Sequence, residues 1–214
     1  MSEVGGLVRA WLLWLALGLC LPALAQRLPQ PSPRHAADEA APTEIATTAW
    51  SRDQLDAWWA ALRREALSGE QRLDLPAELL PPEDAAAWQP QAMPDVRARP
   101  GAAVVSDSRG YEMRWYRVHV PAGVDEPQAL YIPRLVTLSA AVLARTDSGW
   151  RLLLDNQHAE REQWVQPVWL PLPGSGDKPL ELVVALPVPA DSYHAVSRIW
   201  VGPRDVLEKR WLWR

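Results

Sequence analysis

The stretch RWYRVHVP, Arg114–Pro121, alternates in a way that suits a β-strand. Successive side chains of a strand point to opposite faces. Tyr116, Val118 and Val120 therefore share one face, and Trp115, Arg117 and His119 the other. The first is an ordinary core face. The second sets an indole, a guanidinium and an imidazole in a row and must meet a ligand, water or another part of the chain. The most economical cover is the chain's own N-terminal segment, a helix over 52–67 and the strip around Trp88. Trp115 is then expected to pack on those apolar residues. Arg117 should be held by a carboxylate or by carbonyls of the Pro-rich strip, because burying an unpaired guanidinium is costly.

Beyond this stretch, short apolar runs separated by turn chemistry continue to the C-terminal region. The expected strands are Glu112–Val120, Ala129–Arg134, Leu138–Arg145, Trp150–Asp155, Val165–Leu172, Leu180–Leu186 and Val196–Val201. The breakers include PAGVDEP, TDSG, PGSGDKP and PVPADSY. Thr146-Asp147-Ser148-Gly149, between two apolar runs, is a hairpin signal. Leu180, Leu182, Val184 and Leu186 alternate with Glu181 and its neighbours, as in a half-buried strand. Short strands at this spacing, without interleaved helices, predict a mainly β chain folded as an antiparallel β-sandwich. Pro133, Pro167 and Pro171 fall inside expected strands and should mark edges or bulges, since proline cannot donate to a ladder.

Toward the N-terminus, SRDQLDAWWAALRREALSG predicts one amphipathic helix over Arg52–Leu67. Ser51 and Gln54 form a capping-box pattern, and Gly69 sits where a helix C-terminus favours it. Leu55, Trp58, Trp59, Leu62 and Ala66 recur at helical spacing and read as a packing stripe. Residues 70–110 are broken by prolines, with a short helix expected near Pro82–Trp88 and extended chain elsewhere. Residues 26–50 are rich in Pro and Ala and read as a flexible tether. Residues 1–25 show a cation, Arg9, an apolar run from Ala10 to Leu21, and Ala23-Leu24-Ala25. That order describes a secretory signal peptide cut after Ala25. Its rival is an uncleaved anchor, although the run is shorter than the roughly 20 residues of a usual span. The resulting division is 1–25 signal peptide, 26–50 tether, 51–110 helix and extended segment, 111–207 sandwich, and 208–214 C-terminal tail.

Composition narrows the classes. The chain has 214 residues, with 48% hydrophobic and 22% charged, as in ordinary globular proteins. Its net charge is −4 and no basic run occurs, so nucleic acid is not an expected partner. There are 21 prolines and 13 tryptophans but no phenylalanine. Many prolines disfavour long helices and suit short strands and turns. Cys20 is the only cysteine and would leave with the signal peptide. The mature chain would then hold no thiol, disulfide or Cys-based metal site. No second apolar run of membrane length follows residue 26, and the expected location is the periplasm.

The order of features AAWQPQAMPD (Ala86–Asp95), RWYRVHVP, ALYIPR (Ala129–Arg134), WVQPVWLPLP (Trp164–Pro173), LELVVAL and IWVGPRDVL (Ile199–Leu207) resembles the galactose-binding-like jelly-roll sensor domains of bacterial transmembrane signalling proteins, including histidine kinases and diguanylate cyclases. The likeness covers residues 85–207 and rests on order rather than on one motif. It implies a jelly-roll sandwich, a non-enzymatic sensor role, and an unknown small ligand or a periplasmic or membrane signalling partner. Two departures stand out. Family members often place Asn-Gly where this chain has Asp147-Ser148-Gly149. They also continue into a membrane helix and an output domain, whereas this sequence reads LEKRWLWR, so a stand-alone module or one lacking its downstream half is expected.

Chemistry-bearing motifs are sparse. No G-x-G-x-x-G, P-loop, G-x-S-x-G or H-E-x-x-H occurs, and Gly174–Asp177 (GSGD) lacks the following helix that would hold an anion. Asp155–Glu162 (DNQHAERE) offers Asp155, His158, Glu160 and Glu162, types that bind metals. All lie on one loop without a second segment, so a solvated loop is preferred and neither metal nor cofactor is expected. Trp150, Trp164, Trp169 and Trp200 lie on or beside strands. Exposed aromatic rings with polar anchors commonly bind sugars. Arg117, Arg134, Trp150, Trp164 and Trp169 are accordingly the candidate ligand-binding residues, against the alternative that the Trp side chains are core. Besides the sensor, a carbohydrate-binding accessory module and a hydrolase with acids on the Asp155–Glu162 loop remain open.

Overall fold

The computed structural model describes residues 40–68, 72–97, 110–137, 139–155, 166–174, 177–189 and 194–213. The expected signal peptide, most of the tether, Gly69 and the loop 156–165 lie outside the described residues. In chain order the elements are β1 (Glu44–Trp50), α1 (Arg52–Ser68), β2 (Gln89–Pro90), β3 (Asp95–Arg97), β4 (Tyr111–Val120), β5 (Gln128–Val136), β6 (Ala141–Thr146), β7 (Gly149–Asp155), β8 (Gln166–Pro171), β9 (Leu180–Pro189), β10 (His194–Val196), β11 (Trp200–Pro203) and α2 (Arg204–Leu212). Short 3-10 turns at Ala77–Leu79 and Ala85–Ala87 precede β2. The second fulfils the expected short helix near Pro82–Trp88, its Ala86 N–H donating to the Asp84 carboxylate at 2.9 Å.

These strands make a two-sheet antiparallel sandwich. One sheet has the order β2-β1-β4-β9-β6-β7. In the other, β8 flanks β5 on one side, and β11 and β10 pair with successive parts of β5, β10 then carrying β3. The alternation in RWYRVHVP is realised as read: Tyr116, Val118 and Val120 are buried between the sheets with Leu182, Val184 and Leu186 of β9 and Leu130 and Ile132 of β5. Met113 and Trp115 point the other way and are buried with Leu55, Trp58 and Leu62 of α1. A third, smaller cluster of Ala129, Tyr131 and Leu207 lies under α2 on the outer side of the second sheet. The layers therefore run α1, first sheet, second sheet, α2.

Several expectations change in the process. The tether does not extend to residue 50: Glu44–Trp50 is β1, paired along its whole length with β4, from Glu44 opposite Arg117 to Trp50 opposite Tyr111. Its β-branched Ile45, Thr47 and Thr48 suit a strand, a local signal masked by the Pro/Ala composition around it. The expected strand Val196–Val201 is two strands, because β10 pairs with residues 135–136 of β5 and β11 with 128–131. The C-terminal tail begins instead inside α2, whose Asp205 in the first turn and Lys209 and Arg210 in the last complement the helix dipole. β9 is buried on both faces, since Val183 and Ala185 are covered from the α1 side.

Other local readings hold. α1 starts with reciprocal capping: Ser51 N–H donates to Gln54 Oε1 at 2.9 Å, and Gln54 N–H to Ser51 Oγ at 3.3 Å. Of its stripe, Leu55, Trp58 and Leu62 are buried and Trp59 packs beside them, but Ala66 is exposed. Thr146 and Gly149 close the hairpin between β6 and β7, with Gly149 at φ 117°, where a side chain would be strained. Pro133 sits at the register shift between Ile132 and Leu135, and Pro167 and Pro171 lie on β8, which pairs on one side only.

Candidate functional site

The Trp115–Arg117–His119 face is an internal surface for most of its length. Trp115 meets Trp50 and Trp58 edge-to-face, with ring centroids 5.7 and 6.4 Å away, and Trp50 and Trp58 are 5.8 Å apart. Arg117 stacks 4.2 Å over the Trp88 ring, and its Nε donates to Glu44 Oε2 at 2.8 Å. Glu181 lies 3.8 Å from the same guanidinium. Trp88 is fixed in turn by its Nε1 donating to the Pro82 carbonyl at 3.0 Å. Only His119 emerges into solvent, 3.9 Å from Glu44. The guanidinium thus has a carboxylate and an aromatic face supplied by the chain.

The remaining candidate ligand residues that the structure describes are dispersed. Trp150 is 3% exposed in the cluster beneath α1, with Arg145 5.2 Å over its ring. Arg134 is exposed on β5, where its backbone N–H donates to Ser197 Oγ at 3.0 Å. Trp164 lies outside the described residues. Trp169, half-buried on β8, belongs to an aromatic–cationic group with residues from α2 and β11. It stacks on Trp211 at 6.0 Å and 28°, Arg204 lies 5.5 Å over its ring, and Arg210 lies 4.6 Å over Trp200. The four described residues do not converge on one site. Asp155 ends β7, and the rest of the Asp155–Glu162 loop is not described. Among the described residues no three His, Cys, Asp or Glu side chains converge as metal ligands.

A polar cluster that sequence reading missed joins the two sheets. Arg114 of β4 donates to Asp95 of β3 at 2.7 Å and to Glu112 at 2.6 Å. The Tyr116 hydroxyl donates to the same Asp95 oxygen at 2.7 Å. His194 of β10 is 1% exposed, 3.8 Å from Asp95, and neither ring nitrogen has a hydrogen-bond partner among the described residues. Asp95 is held at a pKa of about 2 by His194, Tyr116 and Arg114, acting against burial of the charge. At 3.8 Å the imidazole is beyond hydrogen-bond reach, so the two contacts at 2.7 Å are the direct ones. Burial pushes the Tyr116 hydroxyl well above its ordinary range. Burial also opposes the Arg114 charge but is outweighed by Tyr116, Asp95 and Glu112. The cluster draws on the consecutive strands β3 and β4 and on β10, which is remote from both in sequence. The one signal was Arg114 itself, a cation sharing the core-facing parity of Tyr116 and Val118.

The described surface includes two shallow depressions. One, of about 350 Å³, is lined by Thr47, Thr48, Ala49, Gly110, Tyr111 and Glu112. The other, of about 430 Å³, runs between the edges of the two sheets along Arg151, Leu153 and Leu170–Pro173. The first holds one carboxylate and the second none. No family model matches the chain, and no curated protein matches it.

Proposed function

We propose that the chain is a non-enzymatic, extracytoplasmic binding module of a bacterial signal-transduction system. The observation that carries this reading is that much of each outer face of the sandwich is covered by the chain's own elements, α1 with the Trp88 strip on one side and α2, over β5, β8 and β11, on the other. The conspicuous charges nearest the core, Arg114 and Arg117, are neutralised by Asp95, Glu112 and Glu44. Such groups stabilise a scaffold, and they leave recognition to the ends and edges of the sheets. The jelly-roll likeness of residues 85–207 supplies the sensor context as an analogy of fold and feature order. A thermal-shift screen of the exported chain against small sugars, carboxylates, phosphates and amines tests it. A saturable upward shift without turnover is expected, because a ligand that binds only the folded state stabilises it. Turnover of a chromogenic glycoside or ester, lost on replacing the acids of the Asp155–Glu162 loop, would establish the hydrolase instead.

The carbohydrate-binding reading draws on one specific observation, the stacked Trp169–Trp211 pair beside Arg204. Its test is a glycan array, on which Trp211→Ala would abolish binding if this pair receives the sugar.

A further inference from the structure

We propose that the tip of α2 seats on the headgroup layer of a membrane that carries anionic lipid. Apart from Val96, the exposed large hydrophobic side chains among the described residues are Trp211, Leu212 and Trp213, at 40%, 65% and 88% exposure. They are consecutive. Residues 209–214 read KRWLWR, three cations and no acidic side chain, in a chain of net charge −4. Apart from Arg204 at its first position, the cations of α2 follow its acids, Asp205 and Glu208, so the apolar tip is a cationic end.

The base of the helix is fixed while the tip projects. Leu207 is fully buried, Arg204 N–H donates to the Pro127 carbonyl at 2.8 Å, and Trp211 is held by its stack on Trp169. Leu212 and Trp213 therefore cannot turn inward without undoing that base. Indole rings beside Lys and Arg suit the lipid headgroup layer, where the ring meets the acyl boundary and the cation meets phosphate. Size argues against a protein partner: three partly exposed side chains offer on the order of 400 Å², from rings of about 250 Å² each, against about 800 Å² per partner in a stable interface. A bilayer needs no matching contour and accepts a small apolar wedge with adjacent positive charge.

Flotation of the full chain with phosphatidylcholine vesicles, with and without a third of phosphatidylglycerol, tests this directly. Two variants accompany it, Lys209→Glu and the double substitution Leu212→Ser with Trp213→Ala. All three chains share residues 1–208, and flotation with vesicles of phosphatidylcholine alone reads whatever attachment the N-terminal apolar run contributes, which is subtracted before the chains are compared. The wild type should float with the anionic vesicles. The double variant should bind at least about tenfold more weakly and Lys209→Glu at least about fivefold, both with wild-type circular dichroism. Equal flotation of wild type and double variant overturns the proposal, as does failure of the wild type to float with anionic vesicles. A dimer that the double variant converts to monomer would also overturn it, by assigning the tip to self-association.

Discussion

Arg117 shows how one side chain decides between a binding face and an internal one. Its guanidinium is 15% exposed, bonded to Glu44 at 2.8 Å and stacked on Trp88 at 4.2 Å. Arg117→Ala would remove a charge-assisted bond and a cation–π contact and leave Glu44 half-buried without its cation. A loss of about 2 kcal/mol is expected. That is a melting temperature lower by roughly 4–8 °C for a chain of this size, read by calorimetry. An unchanged melt would return Arg117 to the ligand candidates. Asp95 makes a pH-dependent counterpart. Its pKa falls from 3.8 to about 2 on folding, so its stabilising contribution is complete above 3.8 and lost as pH falls through about 2. The wild type should lose about 2 kcal/mol across that window. Asp95→Asn should be less stable at neutral pH and lack this part of the acid decline. Urea unfolding on either side of the window checks both, and parallel acid profiles for the two chains would contradict the assignment.

At the scale of elements, what was legible follows from how local each signal is. The capping box at Ser51, the Thr146–Gly149 hairpin and the proline positions are short-range chemistry, and each is found where the residues placed it. The alternation of β4 and β9 is likewise local. β1 was hidden because Pro and Ala dominate the composition of residues 26–50, although Ile45, Thr47 and Thr48 favour a strand. α2 has nine residues, a single fully buried side chain and no apolar stripe, so its helicity depends on docking rather than on pattern. The Asp95–Arg114–Tyr116–His194 cluster is a product of strand order, and strand order is not readable from spacing. The docking of α1 is the element-level claim most open to measurement. Trp58 is fully buried between Trp50 and Trp115. Trp58→Ala should cost about 3–5 kcal/mol in equilibrium urea unfolding. Trp59→Ala, at the half-buried neighbour, should cost much less; equal effects would mean that α1 docks by a different face.

Across the whole molecule, the surface most suggestive of ligand binding in the sequence is an internal interface, closed by residues N-terminal to β4. β1 supplies an entire paired strand to β4, and α1 covers the apolar side of β4, β6, β7 and β9. Removing them would expose Met113, Trp115, Trp150 and Val183 together. An apolar surface of that extent is poorly tolerated on a monomer and should promote association. The binding role proposed for the ends and edges of the sandwich follows only if this closure is part of the fold. The most direct test is calorimetric unfolding of the full chain beside one lacking residues 26–68. Loss of the cooperative transition, with aggregation, is the expected result. A truncated chain that stays monomeric and melts within a few degrees of the full one would contradict it, and would make the Trp115–Arg117–His119 face a genuine docking surface.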